Sequence, residues 1–309
     1  VEEKLISMSR GRVELPFIFV ALVVLLSVQA RALSQTPARA VCVSVLDFGG
    51  STVGRKAADQ LAANLKREPE LLVMDRDLSR AAARGGSYSG SLNLSRAEAR
   101  NLGAALGCEF YILGDAQTLR RSPSTGPIYF ESYASIFVVN SRTGRLVGWE
   151  RPNFRADNAV AAERSLLSEL SGASLRYRPL LAIRRAFDDE RVDRMLTSEQ
   201  VVPVIEAAPD DEKLAESEGL KLPKPFRRLT PVYPATAAQA EAEAIVDVLV
   251  DLDARGEVTR VEIDRWAGFG LDESTIETVR QLHFFPAMRN GMAVPMRILL
   301  RYNFRKPPR

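Results

Sequence analysis

The chain has 309 residues, 46% of them apolar and 26% charged, with a formal net charge of +3. That length supports two domains with cores of their own, and the composition is that of a globular rather than a disordered protein. Its basic residues are scattered among acidic ones without a dense basic stripe, which argues against nucleic acid as the main partner.

The first element is LPFIFVALVVLLSV, residues 15–28, an uncharged apolar run preceded by Arg10 and Arg12 and followed by Ala-Arg-Ala at 30–32. It is shorter than the ~20 residues that span a bilayer, and the basic flank, short core and small-x-small site predict a secretory signal over residues 1–32, with Met8 as its start. The other reading is an uncleaved membrane anchor lengthened by Ala30 to Leu33. No cysteine follows at lipobox distance, so no lipid anchor is expected. Either way the bulk of the chain is expected outside the cytoplasm, with membrane contact only through this segment. Two cysteines and one histidine do not complete a zinc site, so no metal is expected.

VCVSVLDF (41–48) predicts a buried strand, and after GGSTVG the residues Ala57, Ala58, Leu61, Ala62 and Leu65 recur at helical spacing. LLVMD (71–75) predicts a second strand and ARGGSYSGS (83–91) a mobile loop. Ser95 and Glu98 stand at capping-box spacing at the start of a helix, and CEFYILGD (108–115) predicts a third strand. A hairpin follows, YFESYASIFVVN and RLVGWE around the turn SRTG, and then an amphipathic helix, AVAAERSLLSELSGASL. The alternation predicts an α/β domain over residues 40–180, its sheet mainly parallel and covered by helices.

VCVSVLDF, LLVMDRDL and LGAALGCEFYILGD resemble the periplasmic domain shared by CsgG-like curli secretion proteins and the N-terminal domain of TolB, over about residues 40–175. The resemblance implies an envelope assembly or secretion factor. CsgG carries a lipoprotein signal that has no counterpart here.

From residue 181 to 228 the chain turns charge-rich. EAAPDDEKLAESEGLKLPKPFRR suits a solvated linker, whereas RPLLAIRRAFDDERVDRML suits a helix packed on a neighbouring domain.

In AIVDVLVDLD, Val246, Val248, Val250 and Leu252 alternate with Asp247, Leu249 and Asp251, as in a strand with one buried face. ARGE, with Gly256, predicts a hairpin loop, and VTRVEIDRW continues the alternation. LDESTIETVRQL predicts a helix with Asp272 as N-cap and Ile276, Val279 and Leu282 as its buried stripe. MRILLRYNF puts Met296, Ile298, Leu300, Tyr302 and Phe304 inward, and Arg297, Leu299, Arg301 and Asn303 outward. A small α+β domain with a helix-covered, three-stranded antiparallel sheet is expected over 229–309, with Asp and Arg side chains crossing strands on its open face.

These pieces resemble the TonB C-terminal domain family, in order and spacing, over roughly residues 225–306. The landmarks are Tyr233 and Pro234, the hairpin with Gly256, the helix start Leu271-Asp272, Phe284-x-Pro286-Ala287, and Asn290-Gly291. The resemblance implies a non-enzymatic binding module, without cofactor, for the periplasmic plug segment of an outer-membrane TonB-dependent receptor or another periplasmic protein. It implies a location in the periplasm, or anchored in the inner membrane and facing the periplasm. It also implies ExbB/ExbD-like partners if the N-terminal segment is an anchor. The family's transducers carry a histidine in their membrane helix and a long Pro-rich spacer; here the only histidine is His283, and an α/β domain takes the spacer's place. Binding of this kind is strand addition to an exposed sheet edge. The last strand is the candidate edge, with Arg297, Leu299, Arg301 and Asn303 facing a partner or only solvent.

Three other features invite chemistry. His283 follows a helix beside Phe284 and Phe285, with no neighbour in sequence to act as partner or orienting group for a general base. GGSTVGRK (49–56) has the spacing of a phosphate loop, but Arg55 and Lys56 stand where Lys and Ser/Thr belong, so ordinary loop chemistry is expected. In the CsgG/TolB-like family the strands that Cys42 and Cys108 open are neighbours; that resemblance brings the two cysteines to the same end of a sheet, as a disulfide or as two buried thiols.

Overall fold

The computed structural model describes residues 40–199, 205–209 and 212–306; the apolar run at 15–28 lies outside them. Among the described residues no helix is long and apolar enough to cross a membrane.

The first lobe is built on β1 (Val41–Phe48), whose Val43 and Val45 face one layer of helices and Leu46 the other. Helix α1 (Thr52–Leu65) starts at Ser51, whose Oγ accepts from Gly54 N at 2.8 Å, and buries Ala57, Ala58, Leu61, Ala62 and Leu65. Strand β2 (Leu71–Val73) is followed by a helix that the sequence reading missed, α2 (Arg76–Gly85), capped by Asp75. It takes in the first three residues of the expected loop at 83–91. Helix α3 (Arg96–Leu106) has the full Ser95/Glu98 capping box and ends at Gly107 in the left-handed region.

Strands β3 (Phe110–Arg121) and β4 (Tyr129–Asn140) pair antiparallel over twelve residues. β5 (Leu146–Glu150) and β6 (Asn153–Ala156) then share the far side of β4. The sheet order is β2-β1-β3-β4-β5 with β6 on β4. Only β1–β2 and β1–β3 are parallel, so the sheet is mixed rather than mainly parallel. The expected third strand runs on six residues past Asp115, because β4 supplies backbone partners as far as Arg121. Helices α4 (Ala159–Leu170) and α5 (Ser174–Glu199) pack with α1 on one face. Leu180, Ile183 and Ala186 are buried in that core, so RPLLAIRRAFDDERVDRML is a packed helix, the second of its two readings, and not part of a solvated linker.

The second lobe pairs β10 (Ala244–Leu252) with β11 (Val258–Arg265) on one side and with β15 (Met296–Phe304) on the other, both antiparallel. A short β7 (Glu206–Ala207) adds to β15 in parallel, making the sheet four-stranded, β11-β10-β15-β7, where three strands were expected. Helix α8 (Leu271–Val279) covers the face formed by Val246, Val248, Val250 and Leu252. Further pieces are α6 (Glu212–Ser217), α7 (Ala235–Ala240), β8 (Leu220–Lys221) on β13 (Ala287–Arg289), β9 (Lys224–Pro225) on β12 (Phe284–Phe285), and β14 (Met292–Val294) on β13.

From Val41 onward the chain is one compact unit. Trp266, just past β11, is 2% exposed and sits in the first lobe's core with Leu102, Phe137 and Val139. Asn93 fastens the same junction: its Nδ2 donates to the carbonyls of Ile245 (2.8 Å) and Trp266 (2.6 Å), and its Oδ1 accepts from Ile245 N (3.0 Å). Glu262 pairs with both Arg96 and Arg145, the latter at 2.7 Å, and Arg265 reaches Glu98 at 3.0 Å.

Candidate partner-binding edge

The landmark residues of the second lobe serve its local geometry. Asn290 (φ +50°) and Gly291 (φ +83°) are the two-residue turn between β13 and β14, where both central positions need positive φ. Gly256 (φ +83°) lies so close to β12 that an added Cβ would stand 2.0 Å from the Phe284 carbonyl oxygen. Tyr233 donates its hydroxyl to the Ala242 carbonyl at 2.6 Å, and Pro234 precedes α7 as its N-cap. Leu271, Phe284 and Ala287 are buried, and Pro286 joins β12 to β13.

Asp272 is not the N-cap of α8; Gly270 is. Asp272 turns back instead, and its two carboxylate oxygens accept from Ala267 N (2.8 Å) and Gly268 N (2.9 Å), holding the loop that follows Trp266. Burial pushes its carboxyl up to about 7, against the two N–H groups that pull it down. The buried stripe of α8 is Leu271, Thr275 and Val279; Ile276 is only half-buried.

Along β15 the alternation places Met296, Ile298 and Phe304 in the core and Leu299, Arg301 and Asn303 in the open. The register sets Arg297 opposite Asp251, Leu299 opposite Leu249 and Arg301 opposite Asp247. Arg297 grips Asp251 with Nε (2.5 Å) and Nη2 (2.8 Å), and Arg301 grips Asp247 with Nε (2.7 Å) and Nη2 (3.0 Å). Arg265 adds a second cation to Asp247 at 3.4 Å. These bidentate forks raise the pKa of both arginines. The two aspartates are buried on the face away from the helix, where paired charge is what makes their burial tolerable.

The backbone of β15 completes the geometry. Ala208 N donates to the Arg297 carbonyl at 2.7 Å, on the side away from β10. Peptide groups alternate direction along a strand, so Leu299, Arg301 and Asn303 also turn their N–H and C=O away from β10. Among the described residues β7 is the only strand on that side, and it covers Met296 and Arg297 alone. No other described strand pairs with the rest of that edge.

The other candidates fall elsewhere. His283 is exposed, and its Nδ1 lies 2.9 Å from Glu257 Oε2 across an isolated bridge between these two residues, a partner that sequence reading did not supply. The Gly-rich loop is satisfied internally: Ser51 Oγ donates to the Ala116 carbonyl at 2.9 Å and Arg55 Nη1 to the Gly50 carbonyl at 3.0 Å. Cys42 in β1 and Cys108, two residues before β3, are joined as a disulfide with Cα atoms 4.8 Å apart. Among the described residues no three His, Cys, Asp or Glu side chains group as metal ligands.

The second lobe is thus a helix-covered, mainly antiparallel sheet in which, among the described residues, no strand pairs with β15 beyond Arg297 on the side away from β10. Residues 230–305 match the family model described as Gram-negative bacterial TonB protein C-terminal; the match does not extend to the first lobe. No curated protein matches the chain. Among solved structures, the chain is similar to the TonB CTD of Pseudomonas aeruginosa at 23% identity and TM-score 0.25, over 28% of this chain and 89% of that one. It is also similar to the hypothetical protein CT253 from Chlamydia trachomatis, at 12% identity and TM-score 0.32, over 45% of this chain and 97% of that one. A third is the LpoB C-terminal domain from Salmonella enterica, at 11% identity and TM-score 0.28, over 41% of this chain and 91% of that one.

Proposed function

We propose that the chain is a TonB-like, non-enzymatic protein of the cell envelope, facing the periplasm, whose C-terminal lobe takes up an extended segment of a partner as an added strand. The observation that carries this reading is the row of peptide groups at Leu299, Arg301 and Asn303, turned outward from β15 past the end of β7. Each hydrogen bond gained there contributes ~0.5–1.5 kcal/mol net, so a short segment binds modestly and reversibly. The family points to the periplasmic segment of an outer-membrane transporter as the partner. Leu299 offers an apolar contact between the two arginine forks, whose charges are already engaged by Asp251 and Asp247. Specificity then comes from the backbone ladder and the Leu249–Leu299 pair more than from new ion pairs. Coupling to ExbB/ExbD-like proteins requires that the N-terminal apolar run be retained as an anchor.

The test is amide hydrogen exchange on the full chain with and without a synthetic transporter plug peptide. The expected result is new protection at Leu299, Arg301 and Asn303. Peptide binding that leaves those three amides exchanging as before would sink the reading.

A further inference from the structure

Arg151 lies between β5 and β6 with its side chain only 7% exposed. Its guanidinium stacks on the Tyr133 ring, 4.3 Å from the centroid, and the nearest carboxylate, Glu131, is 4.0 Å away. Glu131 accepts from Arg121 Nε at 2.8 Å through its other oxygen, Oε2, and its Oε1 stands too far from Arg151 for a hydrogen bond. Among the described residues, none accepts a hydrogen bond from Arg151. A guanidinium carries five N–H donors and no acceptor, and buried polar groups are rarely left unmet. Burial lowers the Arg151 pKa by more than the nearby Glu131 and Asp115 carboxylates raise it.

This side chain lines a pocket of about 650 Å³, within the usual range of small-molecule sites. The walls come from both lobes. The first supplies Arg120, Arg121 and Arg155 from β3 and β6, and the second supplies Gln239 and Glu241 from the end of α7. Arg155 is held 5.0 Å over the Tyr129 ring and has no carboxylate partner among the described residues. Glu241 is engaged by Lys306 at 2.5 Å and lies 3.9 Å from Arg121. Of the lining residues, four arginines face two glutamates, leaving an excess of positive charge. Two of the four guanidiniums are already fixed in place by aromatic rings, so little ordering is needed for them to grip a ligand.

We propose that this pocket binds the oxyanion group of a small molecule, phosphate or carboxylate, with Arg151 as its buried anchor and Arg155 and Arg120 at its rim. The planar guanidinium fork matches both groups, and a bound oxyanion supplies the acceptors that Arg151 lacks. Because α7 closes one wall, the bound group is clamped between the two lobes. The pocket is separate from the β15 edge, and the proposal does not rest on strand addition.

The experiment is calorimetric titration and thermal melting of the full chain with inorganic phosphate and with citrate, each against chloride at matched ionic strength. Phosphate or citrate is expected to bind and raise the melting temperature where chloride does not. Binding of phosphate alone assigns a phosphate ligand, and binding of citrate alone assigns a carboxylate. Arg151→Gln is expected to weaken that binding about tenfold or more. Should Arg151→Gln fail to fold, Arg155→Gln decides, since Arg155 has no ion pair to lose and the same direction of change is expected. No binding beyond that of chloride, or undiminished binding in the folded variants, overturns the proposal.

Discussion

The Trp266 indole donates its Nε1–H to the Gly144 carbonyl at 3.2 Å, within a cluster where Phe137 lies 5.8 Å away ring to ring. One side chain from the second lobe thereby completes the core of the first. Trp266→Ala is expected to cost ~3–5 kcal/mol, the usual range for emptying a large aromatic site. Trp266→Phe keeps most of the packing but leaves the Gly144 carbonyl without this donor, a loss of ~1–3 kcal/mol. Urea unfolding of the three proteins checks the order. Equal midpoints would mean that the lobes hold together without this contact.

The two arginine forks on β15 look alike but differ in what stands behind them. Among the described residues Asp251, with a side chain 6% exposed, pairs with Arg297 alone, whereas Asp247 keeps Arg265 when Arg301 is removed. Arg297→Ala therefore leaves a buried carboxylate without a cation. The expected loss is ~2–3 kcal/mol, below the ~3–5 of a fully buried pair because Arg297 itself is about one-third exposed. Arg301→Ala is expected to cost clearly less. Chemical denaturation of both variants tests the ranking, and a larger loss for Arg301→Ala contradicts it.

The disulfide between Cys42 and Cys108 spans 66 residues of sequence and joins β1 to the approach to β3. Cross-linking so long a loop restricts the unfolded chain by about 4 kcal/mol in the loop-entropy treatment. Reduction, or the double variant Cys42→Ala/Cys108→Ala, is expected to lower the melting temperature by several degrees or more. Thermal melting with and without reductant, with free thiols titrated in parallel, gives the answer. A melt that does not move on complete reduction would falsify the stabilising role.

What was legible in the sequence was what neighbours in sequence decide. The Ser95/Glu98 box, the Asn290-Gly291 turn and the alternation of β10 and β15 are set by residues a few positions apart, and each is present. Helix α2 was hidden because RDLSRAAARG shows little apolar stripe and its core-facing residues include Arg76 and Ser79. Strand β3 looked finished at Asp115 because its continuation is polar, and only the ladder to β4 carries it on to Arg121. The partnership of Trp266 with Gly144, and the lack of an acceptor for Arg151, depend on residues far apart in sequence or on what is missing in space. No local pattern announces either. The family resemblance pointed to the candidate edge and alternation to its outward side chains, but the register that binds Arg297 and Arg301 to aspartates, and the short β7 that covers its first residues, came only with the fold.

Asp272 supplies a pH dependence whose sign follows from its position. Its ordinary value is 3.8, and burial pushes it up to about 7 in the folded protein. Between those values the folded state keeps a proton that the unfolded chain gives up, so rising pH favours unfolding. The contribution is whole below about pH 4 and is lost as the pH rises through about 7. Asp272→Asn is always neutral and removes this dependence. It also offers one oxygen where two backbone N–H groups, of Ala267 and Gly268, need acceptors, so it is less stable in acid than the parent. Urea midpoints measured across this range should fall with pH more steeply for the parent than for Asp272→Asn. The difference should be concentrated in the loop that carries Trp266, because that loop is what the carboxylate holds. Parallel pH profiles for the two proteins would mean that the two N–H groups outweigh burial and that Asp272 is ionised throughout.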